Sequence, residues 1–209
     1  MPADARERLR QARLYLVVEA AAEHVLPAAL RGGVDMVQLR EKDTDDEAIL
    51  RAAARFRAIC DDHGALLWLN DRPDLAIECG ADGVHVGQDD EPVEQVRDRV
   101  GPDMLIGLST HSPEQFDAAL GSQADQLSVG PVWETPTKQG RPAAGLEYVR
   151  YAARHGGERL WFAIGGIDAG NVGEVVAAGA RRVVVLRAIR DAADPYAAAK
   201  TLAAALPPR

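Results

Sequence analysis

The sequence predicts a single α/β domain folded as a (β/α)8 TIM barrel. Three observations carry this: the number of short apolar runs, their spacing, and the places where uncommon polar residues fall. Eight runs rich in Val, Leu and Ile alternate with longer Ala, Arg and Glu segments of helical character. In 209 residues that is one run per roughly 26, the pitch of a compact βα unit. The runs are nearly continuous in apolar residues, as parallel strands covered on both faces require. A doubly wound open sheet is the alternative arrangement of the same units.

Taken in order, residues 1–12 are charged and form an N-terminal extension, and the barrel spans about 13 to 206. The strands are LYLVV from Leu14, DMVQL from Asp35, LLWLN from Leu66, DGVHV from Asp82, MLIGLS from Met104, DQLSVG from Asp125, LWFAIGG from Leu160 and RVVVL from Arg182. A weak repeat supports the even-numbered ones. A Gly, a small or polar pair and a strand recur as GGVDMVQL at Gly32, GADGVHV at Gly80 and GARRVVVL at Gly179, with GSQADQLSVG at Gly121 as a looser copy. Each such Gly is expected to close the preceding helix in the left-handed conformation. No linker or low-complexity stretch interrupts the pattern, so 1–209 reads as one domain.

Composition narrows the function classes. A hydrophobic fraction of 47% is that of a globular chain, and a net charge of −8 argues against a nucleic-acid partner, which favours a basic face. No apolar run reaches the roughly 18 residues of a membrane span, and the N-terminus does not resemble a signal peptide, so a soluble, cytoplasmic protein is expected. Cys60 and Cys79 lack metal-site or disulfide spacing and read as small buried hydrophobes in helical segments. Among the 24 cations only Lys42, Lys138 and Lys200 are lysines, and Asn70 and Asn171 are the only asparagines.

These scarce residues fall where a barrel builds its active site, just after the strands. Gln38, Arg40 and Lys42 alternate to one side after the second strand. Asn70 and Asp71 follow the third, and Gln88, Asp89 and Asp90 the fourth. Ser109 and His111 end the fifth, Thr135, Thr137 and Lys138 follow the sixth, and Gly165-Gly166 the seventh. Asp71 and Asp90 suit a hard cation such as Mg²⁺, although an Asp after a strand equally suits capping the next helix. Arg40, Lys42 and Lys138 suit phosphate oxygens, and the Gly pair lets backbone N–H groups approach an anion. No GxSxG, Walker or GxGxxG motif is present, and His85 and His111 lack metal-ligand spacing. The inventory fits a phosphorylated small molecule handled without a protein nucleophile.

The segments VQLREK, LNDRPDLAIECGADGVHVGQDD, IGLSTH, GPVWETPTK and AIGGI, in this order, resemble the thiamine phosphate synthase family from about Leu14 to Pro195. The resemblance implies a (β/α)8 barrel that joins a hydroxymethylpyrimidine diphosphate to a thiazole phosphate, releases diphosphate and uses Mg²⁺. It implies that Gln38, Arg40, Lys42, Asn70, Ser109 and Lys138 hold the pyrimidine diphosphate, with His85 near the pyrimidine ring. Asp71 and Asp90 bind the metal on this reading, Asp90 rather than Asp89 because the family pattern is Gly-Gln-x-Asp. Thr135, Thr137 and Gly166 hold the thiazole phosphate. One departure stands out: the family's Ser after the eighth strand is Arg187 here, leaving the backbone N–H groups of Leu186 and Arg187, with or without the guanidinium, to complete that site. Two rivals share the barrel, a thiazole tautomerase-like relative and a non-catalytic phosphate-ligand sensor. The first is disfavoured by Arg40, Lys42, Asn70, Asp71, Asp90 and Lys138 occurring together; nothing in the sequence, such as an appended domain, supports the second.

Overall fold

The computed structural model describes residues 2–42, 44–135 and 142–208. Eight parallel strands close into a barrel in chain order: β1 (Leu14–Val18), β2 (Met36–Leu39), β3 (Leu66–Asn70), β4 (Gly83–Val86), β5 (Leu105–Thr110), β6 (Gln126–Val129), β7 (Trp161–Ile164) and β8 (Val183–Val185). β8 pairs back onto β1 through Leu14 and Val183, which excludes the open-sheet alternative. Each strand lies within a run picked out from sequence, apart from the last residue of β5.

Strand alternation sorts the apolar residues into two cores. One face of each strand meets the outer helices, chiefly α2 (Leu26–Arg31), α3 (Asp46–His63), α4 (Pro73–Glu78), α5 (Val93–Val100), α6 (Pro113–Leu120), α7 (Gly145–His155), α8 (Val172–Ala177), α9 (Arg187–Arg190) and α10 (Pro195–Ala205). The other face fills the barrel with Tyr15, Val17, Met36, Leu66, Trp68, Leu105, Phe162 and Val184. Tyr15 is central there, 5.7 Å from Phe162 edge to face and 6.1 Å from Trp68. Gly83, opposite Trp68 in register, makes room for the indole: a Cβ would lie 2.8 Å from Trp68 Cε3. The expected N-terminal extension is a helix, α1 (Pro2–Gln11). Its Leu9 joins the inner cluster and closes the floor of the barrel.

The internal repeat has a structural basis in its acids. Asp35, Asp82 and Asp125, each just before an even-numbered strand, accept backbone N–H bonds from the preceding odd strand: Leu14 at 3.0 Å, Leu67 at 2.8 Å and Ile106 at 2.8 Å. In the fourth copy the position is Arg182, which donates to Ala12 O and Arg10 O instead. The glycines need correction. Gly80 and Gly179 have the expected positive φ, at 65° and 106°, but Gly32 and Gly121 are right-handed, at −77° and −87°. Gly32 is required for close packing: a Cβ there would meet Tyr196 O at 2.6 Å and Ala199 Cβ at 2.7 Å.

No helix among the described residues is long and apolar enough to cross a membrane. Cys60 lies within α3, fully buried, and burial pushes its thiol up to about 12. Cys79 follows α4 as a half-buried cap rather than a core residue. A thiol reagent applied to the native protein is therefore expected to modify Cys79 well before Cys60. Mass spectrometry of the labelled peptides checks the order.

Candidate functional site

Moving along the barrel axis, the inward positions change from apolar to polar. Gln38 follows Met36 by two residues, Asn70 follows Trp68, and Ser109 lies four beyond Leu105, so each repeats an inward position nearer the C-terminal end. The strand ends surround a cavity of about 370 Å³. Gln38, Arg40, Asn70, His85 and Ser109 line it on the β2–β5 arc, with His111 just beyond β5; Thr135, Gly166, Leu186 and Arg187 line it on the β6–β8 arc. Val17, Ile164, Ile167 and Val184 give it apolar walls.

The β2–β5 arc is held by hydrogen bonds. Gln38 Nε2 donates to Tyr15 Oη at 2.7 Å, and burial holds the Tyr15 phenol well above its ordinary value. Gln88 Nε2 donates to the backbone carbonyl of Ser109 at 2.7 Å. Beside this arc stands a carboxylate pair. Asn70 Nδ2 donates to Asp71 Oδ2, and the Asp71 N–H donates to His85 O at 2.9 Å. Asp71 adopts φ 60°, a left-handed conformation uncommon outside glycine. The Gly87 N–H donates to Asp90 Oδ2 at 2.7 Å. Burial, then the charge of Asp90 and a hydrogen bond with it, push the Asp71 carboxyl up from 3.8 to about 6, against the pull of Arg40 and Asn70. Two carboxyls that close repel when ionised, and a cation between them relieves the repulsion.

That arrangement fits Mg²⁺. The ion binds through one or two carboxylates and completes its shell with water and substrate phosphate. Among the described residues no group of three or more His, Cys, Asp and Glu could hold a metal by itself. The structure thus offers a pair suited to a metal shared with a ligand rather than an all-protein cage.

On the β6–β8 arc, the backbone is shaped by close approach. Gly165 and Gly166 have φ 108° and 68°, and a Cβ on Gly165 would lie 2.6 Å from Pro131 Cα. Asn171 Nδ2 donates to Gly166 O at 2.8 Å and Asn171 Oδ1 accepts from the Asp168 N–H at 2.9 Å, so the second scarce asparagine braces this turn. Leu186 and Arg187 stand where β8 passes into α9, with the Arg187 side chain exposed.

Of the residues picked out from sequence, Gln38, Arg40, Asn70, Ser109, Thr135, Gly166, Leu186 and Arg187 share the cavity. Asp71 and Asp90 meet each other beside it. Lys42 is exposed and outside the lining. Thr137 and Lys138 lie outside the described residues. Sequence reasoning missed the lining residues Ile164, Ile167, Asp168, Ala188 and Asp191 and the bracing by Asn171. The scarcity of asparagine was the signal that pointed to Asn171.

Fold and site together define a TIM-barrel protein whose C-terminal face presents a cavity equipped for a small anionic ligand and a carboxylate pair for a cation. The model of the family described as thiamine monophosphate synthase matches residues 14–189. The chain is 54% identical over 204 residues to a thiamine-phosphate synthase of Acidothermus cellulolyticus, covering 95% of this chain and 96% of that one. It is 53% identical over 197 residues to a thiamine-phosphate synthase of Thermus thermophilus, covering 91% and 95%. Among solved structures, a thiamine phosphate pyrophosphorylase from Pyrococcus furiosus matches with a TM-score of 0.85 at 28% identity, over 95% of this chain and 96% of that one. A 3-hexulose-6-phosphate synthase from Salmonella typhimurium, at 18% identity and a TM-score of 0.69, shares the fold, with 93% and 98% covered. The chain belongs to the thiamine monophosphate synthase family.

Proposed function

We propose that the chain is a transferase of thiamine biosynthesis that joins 4-amino-2-methyl-5-(diphosphooxymethyl)pyrimidine to a thiazole phosphate, giving thiamine phosphate and diphosphate. The observation that carries this is a cavity with two differently equipped arcs, in a chain about half identical to relatives named for that reaction. Gln38, Arg40, Asn70 and Ser109 hold the pyrimidine diphosphate on one arc; Lys42, which stands outside the lining, and Lys138, which lies outside the described residues, are further ligands of the diphosphate on this reading. Thr135, Gly166 and the backbone N–H groups of Leu186 and Arg187 hold the thiazole phosphate on the other, with Thr137.

In the reaction, the bond between the pyrimidine methylene and the diphosphate oxygen breaks and the electron pair leaves on that oxygen. The resulting cation is stabilised by the ring and captured by the thiazole nitrogen, whose lone pair forms the new C–N bond. No side chain acts as nucleophile. The protein positions the two partners and stabilises the charge that accumulates on the leaving group. Arg40 supplies a fixed fork for phosphate oxygens. A unit charge pair 4 Å apart gains about 1 kcal/mol in water but about 4 kcal/mol at an effective dielectric of 20, so such contacts gain strength as the cavity excludes water. Val17, Ile164, Ile167 and Val184 provide the apolar wall that keeps water from the cation. Asp71 and Asp90 would hold Mg²⁺, which, when bound, neutralises charge on the diphosphate.

The experiment is incubation of the protein with both substrates and Mg²⁺, with product identified by chromatography and mass. Thiamine phosphate and diphosphate in equal amounts support the reading. Isomerised thiazole phosphate alone would mark a tautomerase-like protein, and ligand binding without turnover a sensor. Arg187 gives a narrower test. If the backbone N–H groups do the binding, Arg187→Ser leaves the thiazole phosphate KM near that of the parent. A rise of about tenfold or more, the scale of one lost charge-assisted contact, would assign the guanidinium to the phosphate.

A further inference from the structure

Inside the barrel, a line of polar side chains crosses three strands and reaches the cavity through His85 and Ser109. His85, Gly107 and Gln126 are register partners on β4, β5 and β6. His85 and Gln126 meet over the strand between them because Gly107 has no side chain; a Cβ there would fall inside van der Waals contact with both Gln126 Nε2 and His85 Nδ1. Gln126 Nε2 lies 3.0 Å from His85 Nδ1, and His85 Nε2 lies 2.9 Å from Ser109 Oγ. Gln126 is fully buried, His85 and Ser109 nearly so, and Ser109 lines the cavity.

The Gln126 NH₂ faces His85 Nδ1, and an amide NH₂ only donates, so in this orientation Nδ1 is the acceptor and Gln126 Oε1 is buried with no hydrogen-bond partner among the described residues. The proton of neutral imidazole is then on Nε2, which donates to Ser109 Oγ. With an oxygen lone pair so engaged, the Ser109 hydroxyl proton is free to turn into the cavity. We propose that Gln126 is a positioning residue that fixes the His85 tautomer and so makes Ser109 a hydrogen-bond donor, matched to an acceptor-only atom of the ligand such as a pyrimidine ring nitrogen. Gln126 does not line the cavity and acts through His85. With the other tautomer the Ser109 hydroxyl proton would be spent on His85 Nε2, and only oxygen lone pairs would face the ligand.

This inference deepens the synthase reading and rests on it for the ligand, while the tautomer is measured without any substrate. The experiment is nitrogen-15 NMR of histidine-labelled protein, with kinetics for the parent, Gln126→Met and Gln126→Glu. The parent is expected to carry its His85 proton on Nε2. Gln126→Met keeps volume but removes the donor; the tautomer is no longer fixed, and the KM for the pyrimidine diphosphate rises about tenfold, the scale of one net hydrogen bond. Gln126→Glu shares one proton with Nδ1, carried by the carboxyl or by the ring, so in either case Nε2–H still faces Ser109 and KM stays close to the parent value. A merely space-filling residue would give the reverse order, with the apolar Met tolerated and the buried Glu damaging. A parent protein protonated on Nδ1, or that reversed order, overturns the proposal. If either variant fails to fold, the parent spectrum still decides. If the folded parent makes no product, the synthase reading fails while the spectra judge the tautomer separately.

Discussion

Asp90→Asn is expected to lower kcat/KM by at least about 10²-fold at fixed Mg²⁺, the scale seen when one preorganised charge-stabilising group is lost, while Asp89→Asn stays near the parent. The two residues are adjacent and both exposed, so neither burial nor composition separates them. Geometry does. The Asp90 carboxylate is oriented by the Gly87 N–H and meets Asp71, whose carboxyl is pushed up to about 6 by burial and by Asp90 itself. Asp71→Asn should match Asp90→Asn in activity. Removing either charge also removes a repulsion, so the metal-free melting temperature of each variant should equal or exceed that of the parent. Loss of activity without loss of stability distinguishes a metal pair from a structural one. An inactive Asp89→Asn beside an active Asp90→Asn would place the metal on the wrong acid.

Arg40→Met is expected to cut kcat/KM for the pyrimidine diphosphate by about 10²- to 10³-fold and to leave the KM for the thiazole phosphate nearly unchanged. Arg40 lines the cavity just beyond β2 and its charge acts on Asp71, which puts it beside the carboxylate pair. Arg40→Lys should recover only part of the loss, because an ammonium offers a point charge where the guanidinium offers a planar fork. Equal effects on both substrates would show that the two arcs do not act separately.

The barrel was legible because its code is local. Continuous apolar runs such as LYLVV and LLWLN specify strands buried on both faces, and their spacing leaves room for one crossover helix each. Much of the cavity lining was legible for a similar reason: alternation carries Gln38, Asn70 and Ser109 inward once their strands are known. Contacts between distant strands could not be read this way. Asp35, Asp82 and Asp125 were visible as repeat members, yet their role of tying neighbouring strands together depends on register. Gln126 passed as one polar residue in an apolar run, since its meaning depends on Gly107 and His85 lying beside it across the sheet. Gly32 was misjudged because its constraint comes from α10, more than 160 residues away in the chain, rather than from its own helix end.

The central claim is that one cavity brings together a diphosphate, its metal and a phosphorylated acceptor. Diphosphate release, followed as a function of Mg²⁺ concentration with both substrates present and again with either one omitted, tests it most directly. The expected result is release that requires Mg²⁺, is abolished by a chelator, and matches thiamine phosphate formation one for one. A folded protein that forms no thiamine phosphate under these conditions, or forms it equally well with the chelator present, would contradict the claim.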